Sequence, residues 1–130
     1  GGIRTAMKPQ YVDKLPAVHK GDVDGLLRRV DELGKLDEIT ERLSISSVMG
    51  RDLRKLSGGE LQRVAIAATM VKDADVYFFD EPSSYLDIFQ RLEIARLIQE
   101  LSERRQVVVI EHVDQGPGGE LARQPRERLR

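Results

Sequence analysis

Cysteine is absent from the 130 residues, which removes disulfide bonds and thiolate metal sites from consideration. Long apolar runs are also missing. None approaches the roughly 20 residues that a helix needs to cross a bilayer, and no signal peptide is visible, so the expected setting is cytoplasmic with no membrane partner. Neither sign of charge dominates. Twenty-one basic side chains against 22 acidic ones leave a formal net charge of −1, which gives no global attraction to nucleic acid or to anionic lipid. A phosphate-gripping loop of the form G-x-x-x-x-G-K-[ST] occurs nowhere in these residues. What is present suffices for a core: 40% of the residues are hydrophobic, over a length that can fold as one domain.

The most informative segment is Leu56-Ser57-Gly58-Gly59-Glu60-Leu61-Gln62-Arg63, followed 23 residues after Ser57 by Asp80-Glu81-Pro82. A serine and two glycines opening a helix suit an anion. Glycines let a backbone approach closely, the first N–H groups are free, and the helix dipole adds partial positive charge. Taken alone, the same three residues are equally a turn. Val76-Tyr77-Phe78-Phe79 reads as a buried strand with Asp80 and Glu81 at its carboxyl end. A phosphate cradle, a metal-holding carboxylate and a second carboxylate together describe a nucleotide hydrolase.

Periodicity places these motifs on an α/β framework. From about Val23 to Leu43 the chain reads as helices. Leu26, Leu27, Val30 and Leu33 form an apolar stripe, Gly34 is expected to end the first helix, and Leu36, Ile39 and Leu43 begin another. Ser57 is a plausible N-cap for a helix from Gly58 to about Val71, with Glu60 at the capping-box position. The apolar face of that helix is expected to lie against the sheet. Asp87 can cap a helix from Ile88 to about Leu101, whose buried face is expected to include Leu92, Ala95, Ile98 and Leu101. A strand at Gln106 to Ile110 then completes a right-handed crossover between parallel strands. In such sheets ligands sit beyond the carboxyl ends of the strands, where Asp80, Glu81 and His112 all fall.

These motifs resemble the signature loop and Walker B strand of the ATP-binding-cassette family, in its RNase L inhibitor class, subfamily E. The resemblance runs roughly from Thr5 to His112. Gln10, in Lys8-Pro9-Gln10-Tyr11-Val12-Asp13, matches the Q-loop. Ser83-Ser84-Tyr85-Leu86-Asp87 matches the D-loop, with the paired serines before Tyr85 favouring the first of two cassettes. His112 matches the switch histidine. The resemblance implies a partial P-loop NTPase fold, with residues 1–112 as the carboxyl-terminal part of a nucleotide-binding domain. A helical subdomain would occupy about 14–72 and the part from Walker B to the switch histidine about 73–112. The family's P-loop lies upstream of its Q-loop and is expected before Gly1.

The same resemblance implies a soluble ribosome-recycling ATPase that uses ATP and Mg2+, with the family's iron–sulfur clusters on a separate domain and none in this chain. Asp80 would organise the metal, usually through water, with Gln10 contacting the metal or the attacking water. Glu81 would act as general base, and His112 would hydrogen-bond the γ-phosphate. Ser57, Gly58, Gly59 and Asp87 would act across a head-to-tail interface on nucleotide held by a second cassette. Further partners would be the ribosome and translation termination factors. Tyr85 reads as packing or loop support.

Two alternatives stay open on the residues alone. One is a non-catalytic interaction remnant of such a cassette. The other is a segment of a chromosome-maintenance or repair ATPase, which would need long heptad segments that do not occur here. Residues 113–130 depart from the family pattern. They are rich in glycine, proline and arginine, and residues 115–130 carry four arginines against two glutamates. The expectation there is a disordered tail, with an RNA-contacting arm as its functional alternative.

Overall fold

Three parallel strands and one antiparallel strand form a single sheet, in the order β1 (Thr5–Lys8), β2 (Val76–Asp80), β3 (Gln106–His112) and β4 (Pro125–Leu129). This is a computed structural model, and it describes residues 2–112 and 125–129. β1 aligns with β2 from Thr5↔Val76 to Lys8↔Phe79, and β2 aligns with β3 from Val76↔Gln106 to Asp80↔Ile110. The carboxyl ends of the three parallel strands therefore share one end of the sheet.

The long excursion between β1 and β2 carries the helices. α1 (Leu15–Val18) and α2 (Val23–Val30) come first, followed by α3 (Leu36–Arg42), two single-turn 3₁₀ segments and α4 (Gly58–Met70). α4 is the keystone. It packs against β1 and β2 on one side and against α2 and α3 on the other. Leu61, Val64, Ala65, Ile66, Ala67 and Met70 are buried along it, in one apolar core continuous with Val23, Leu27, Ile45, Tyr77 and Phe79. The expected burial of this helix against the sheet is what the structure shows.

Local chemistry explains the helix starts. Ser57 accepts from the Glu60 N–H at 3.1 Å while the Glu60 carboxylate accepts from the Ser57 N–H at 2.9 Å, a closed capping box. Asp87 and Gln90 build a second box at the start of α5 (Ile88–Ser102). Asp22 caps α2 by accepting from the Gly25 N–H at 2.8 Å.

Three expectations need correction. The first helix stops at Val30 rather than running to Gly34. Asp31 leaves helical geometry and takes the Gly34 N–H at 2.9 Å, in a loop where Gly34 stands at φ +71°. On α5 the buried residues are Ile94, Leu97 and Leu101, whereas Leu92 and Ala95 are exposed. Residues 94, 97 and 101 lie three and four apart on the stripe that meets the sheet, and Arg42 of α3 fixes that rotation by pairing with Glu93 at 2.9 Å and Glu100 at 2.6 Å. Finally, residues 125–129 of the expected disordered tail form β4, paired antiparallel with β3 from Val108↔Leu129 to His112↔Pro125. An edge strand needs backbone pairing on one side only, and proline at its first position costs little there. The rest of the proposed tail, 113–124 and 130, lies outside the described residues.

Candidate active site

Gln10, Asp80, Glu81 and His112 converge because three parallel strands end together. Asp80 is the last residue of β2, Glu81 follows it, and His112 is the last residue of β3. Gln10, half-buried, lies two residues beyond the end of β1. The Glu81 N–H donates to the Ile110 carbonyl at 2.7 Å, which extends the β2–β3 ladder by one bond and anchors Glu81 beside the end of β3.

The backbone at Glu81 is unusual. Its φ is +49°, in the left-handed region that side-chain-bearing residues rarely enter. Three donors meet at its carbonyl oxygen: Gln62 Nε2 at 2.6 Å, Lys8 Nζ at 3.3 Å and the Ser84 N–H at 3.3 Å. Lys8 Nζ also donates to the Asp80 carbonyl at 2.7 Å. Both Lys8 and Gln62 are fully buried. Burial pushes the Lys8 ammonium down to about 8, against the opposing pull of Asp80, Glu81 and Glu111. Ser84 Oγ donates to the Glu81 carboxylate at 3.2 Å, and Ser83 Oγ donates to Glu111 at 3.0 Å. The two serines thus tie the turn after β2 to both acidic strand ends.

Sequence reasoning gave no role to Lys8, Gln62 or Glu111, and used Ser83 and Ser84 only as markers of the D-loop. Gln62 carried a local signal, as an amide on the apolar face of α4, three residues before Ala65 and four before Ile66. Nothing near Lys8 in the sequence marks it as buried.

The helix-capping loop forms the second part of the site. Ser57 and Gly58 are exposed at the start of α4. A Cβ on Gly58 would lie 3.2 Å from the Tyr85 ring, and one on Gly59 would lie 3.0 Å from the Tyr85 carbonyl oxygen. Tyr85 itself stands at φ +66°. The glycines therefore leave room where the turn after β2 lies on the loop that opens α4, and Tyr85 supports that contact. Asp87 is committed to capping α5 and remains exposed. Glu60 is held below the usual carboxylate range, chiefly by the Ser57 N–H.

The Asp80 carboxylate and the Gln10 amide offer oxygen donors at the ends of β2 and β1. Among the described residues no group of three or more His, Cys, Asp or Glu could hold a metal ion. One carboxylate and one amide oxygen are donors of the kind that fits Mg2+, which keeps several waters and takes one or two protein carboxylates alongside substrate phosphates. Among the described residues no helix is long and apolar enough to cross a membrane.

The family model described as ABC transporter matches residues 4–84, so the chain belongs to the ATP-binding-cassette family. Its likeness lies with the RNase L inhibitor class within that family. An uncharacterized ABC transporter ATP-binding protein of Methanocaldococcus jannaschii is 57% identical over 111 residues, covering 85% of this chain and 18% of that protein. The archaeal ribosome recycling factor aABCE1, solved in complex with the archaeal ribosomal stalk protein aP1, superposes with a TM-score of 0.83. It is 56% identical over 85% of this chain and 22% of its own. The solved RNase-L Inhibitor gives 0.80 at 46% identity, over 87% of this chain and 25% of its own. The chain thus spans about a fifth of the length of these three proteins.

Proposed function

We propose that this chain is the hydrolytic part of the first nucleotide-binding cassette in a ribosome-recycling ATPase. The observation that supports this reading is the shared strand end, at or just beyond which Asp80, Glu81, Gln10 and His112 fall in the chain, with Glu81 in a pinned left-handed conformation.

Asp80 and Gln10 are the residues that would hold Mg2+, which when bound neutralises the charge of the transferring phosphate. Glu81 takes the proton of the attacking water, a contribution of about 10²–10⁴ in rate. His112 donates to the γ-phosphate as charge develops there. The loop of Ser57, Gly58 and Gly59 serves nucleotide held by a second cassette facing this one head to tail, and Asp87 reaches across the same interface. Closure of the two cassettes on ATP, and reopening after hydrolysis, is a two-state switch driven by contacts that exist only with a γ-phosphate. Subunit separation on the ribosome, alongside termination factors, is the work this switch performs. The likeness to a recycling factor solved with a ribosomal stalk protein supports that assignment.

Glu81→Gln in a two-cassette ATPase carrying this segment tests the reading. The amide keeps the shape but takes no proton, so ATP should bind and turnover at this site should fall by about 10²–10⁴. Single-turnover hydrolysis within about threefold of the parent would show that Glu81 is not the base.

A further inference from the structure

Among the described residues, Lys8 and Gln62 are completely buried polar side chains that reach the end of β2 and take no part in the proposed chemistry. They come from different elements, β1 and α4, yet both donate to the carbonyl oxygen of Glu81, at 3.3 and 2.6 Å. Lys8 adds a bond to the preceding carbonyl of Asp80 at 2.7 Å. These bonds act on the backbone at the one point of β2's carboxyl end where φ is positive. Strain of this kind persists only where surrounding groups over-determine it.

Fold stability does not explain the choice of lysine. A buried ammonium is costly to desolvate, and an apolar chain of similar length would fill the same space without that cost.

We propose that Lys8 and Gln62 are positioning residues for Glu81, holding the Asp80 and Glu81 carbonyls so that the Glu81 carboxylate faces the attacking water. This rests on the reading of Glu81 as the general base. Lys8 also ends β1 two residues before Gln10, so the clamp joins the start of the Gln10 segment to the backbone that carries the Glu81 carboxylate.

The test compares Lys8→Met, Lys8→Gln and Gln62→Met with Glu81→Gln in a two-cassette ATPase carrying this segment. Three readouts are taken: single-turnover hydrolysis at this site, ATP affinity and urea midpoint. Lys8→Met and Gln62→Met should each lose at least about tenfold in the hydrolytic step, with ATP affinity within about twofold of the parent. The urea midpoint of Lys8→Met should be unchanged or raised. Lys8→Gln retains a donor and should recover part of the rate.

If the methionine variants hydrolyse ATP within about threefold of the parent while Glu81→Gln is inactive, the positioning role is wrong. Rate, affinity and midpoint falling together would mean a merely structural role, and would also overturn it. Should Lys8→Met fail to fold, Gln62→Met decides on the same criteria. An active Glu81→Gln would instead overturn the general-base reading, and the positioning role with it.

Discussion

The loop that opens α4 and the turn that follows β2 touch one another but are built by opposite means. The loop is exposed, and its order comes from within four residues, where Ser57 and Glu60 cap each other. The turn is held from a distance. Glu81 and Tyr85 both stand at positive φ, and Lys8, Gln62 and Ile110 add long-range bonds to the local ones that Ser84 makes with Glu81. A self-contained loop can dock on something outside the domain without disturbing its own fold. A turn held by distant buried groups is suited to fixing a reacting group in one pose.

The sharpest way to break this comparison is Ser57→Arg. It places a bulky cation where an external phosphate would dock and removes a cap worth about 1 kcal/mol. In a two-cassette protein, hydrolysis should fail at the opposite site, whose P-loop belongs to the other cassette, while nucleotide binding at this cassette's own site changes little. Site-resolved nucleotide trapping reads both. Loss confined to the domain's own site would mean that the loop acts within one cassette.

A smaller effect tests the contact between the two regions. Gly59→Ala drives a Cβ to 3.0 Å from the Tyr85 carbonyl oxygen, so backbone must move. Overpacking of this kind should cost about 1–3 kcal/mol in urea unfolding. Gly58→Ala meets only the Tyr85 ring, at 3.2 Å, which can rotate away, so its cost should be lower. An equal or larger cost for Gly58→Ala would show that the ring is as immovable as the backbone.

The smallest effect lies away from both regions. Arg42 joins α3 to α5 and holds the Glu100 carboxyl below its usual 4.5, chiefly by hydrogen bonding. A carboxyl whose folded value is depressed contributes stability that is full above 4.5 and lost as pH falls below it, through the folded value. Arg42→Met should therefore be less stable than the parent at neutral pH, with the gap closing below pH 4.5. A gap independent of pH would assign the effect to packing. Glu60 is depressed in the same direction, so its capping box should weaken over the same acid range.

The comparison also explains what the sequence made legible. Ser57 with Glu60 and Asp87 with Gln90 are three residues apart, so both caps can be read locally. The strand–helix–strand unit from Val76 to Ile110 was equally open, because its periods change from two to 3.6 and back. Lys8 and Asp80 are 72 residues apart, and no local pattern marks a lysine at a strand end as buried. The face of α5 failed for another reason. Apolar residues at 88, 89, 92, 94, 95, 97, 98 and 101 ring the helix, and periodicity does not choose between overlapping stripes. Tertiary contacts do, by burying Ile94, Leu97 and Leu101. β4 escaped because an edge strand made of Pro125-Arg126-Glu127-Arg128-Leu129 has no apolar run, and its pairing depends on β3.

The strand that carries Lys8 also sets the order in which the molecule comes together. β2 meets β3 across 30 positions, Val76 to Gln106, but β1 meets β2 across 71, Thr5 to Val76. Closing the larger loop costs about 0.8 kcal/mol more in chain entropy, and β1 repays it with only four residues. The β2–α5–β3 unit should therefore form early, and the docking of β1 should be both the late step of folding and the first to reverse. Hydrogen exchange should find the amides of Thr5–Lys8 opening at lower free energy than those of Val107–Ile110, and equal protection would remove this ordering. Until β1 docks, the chain has a folded β2–β3 unit but no lysine beneath Glu81, so the buried clamp on the Glu81 carbonyl is assembled last.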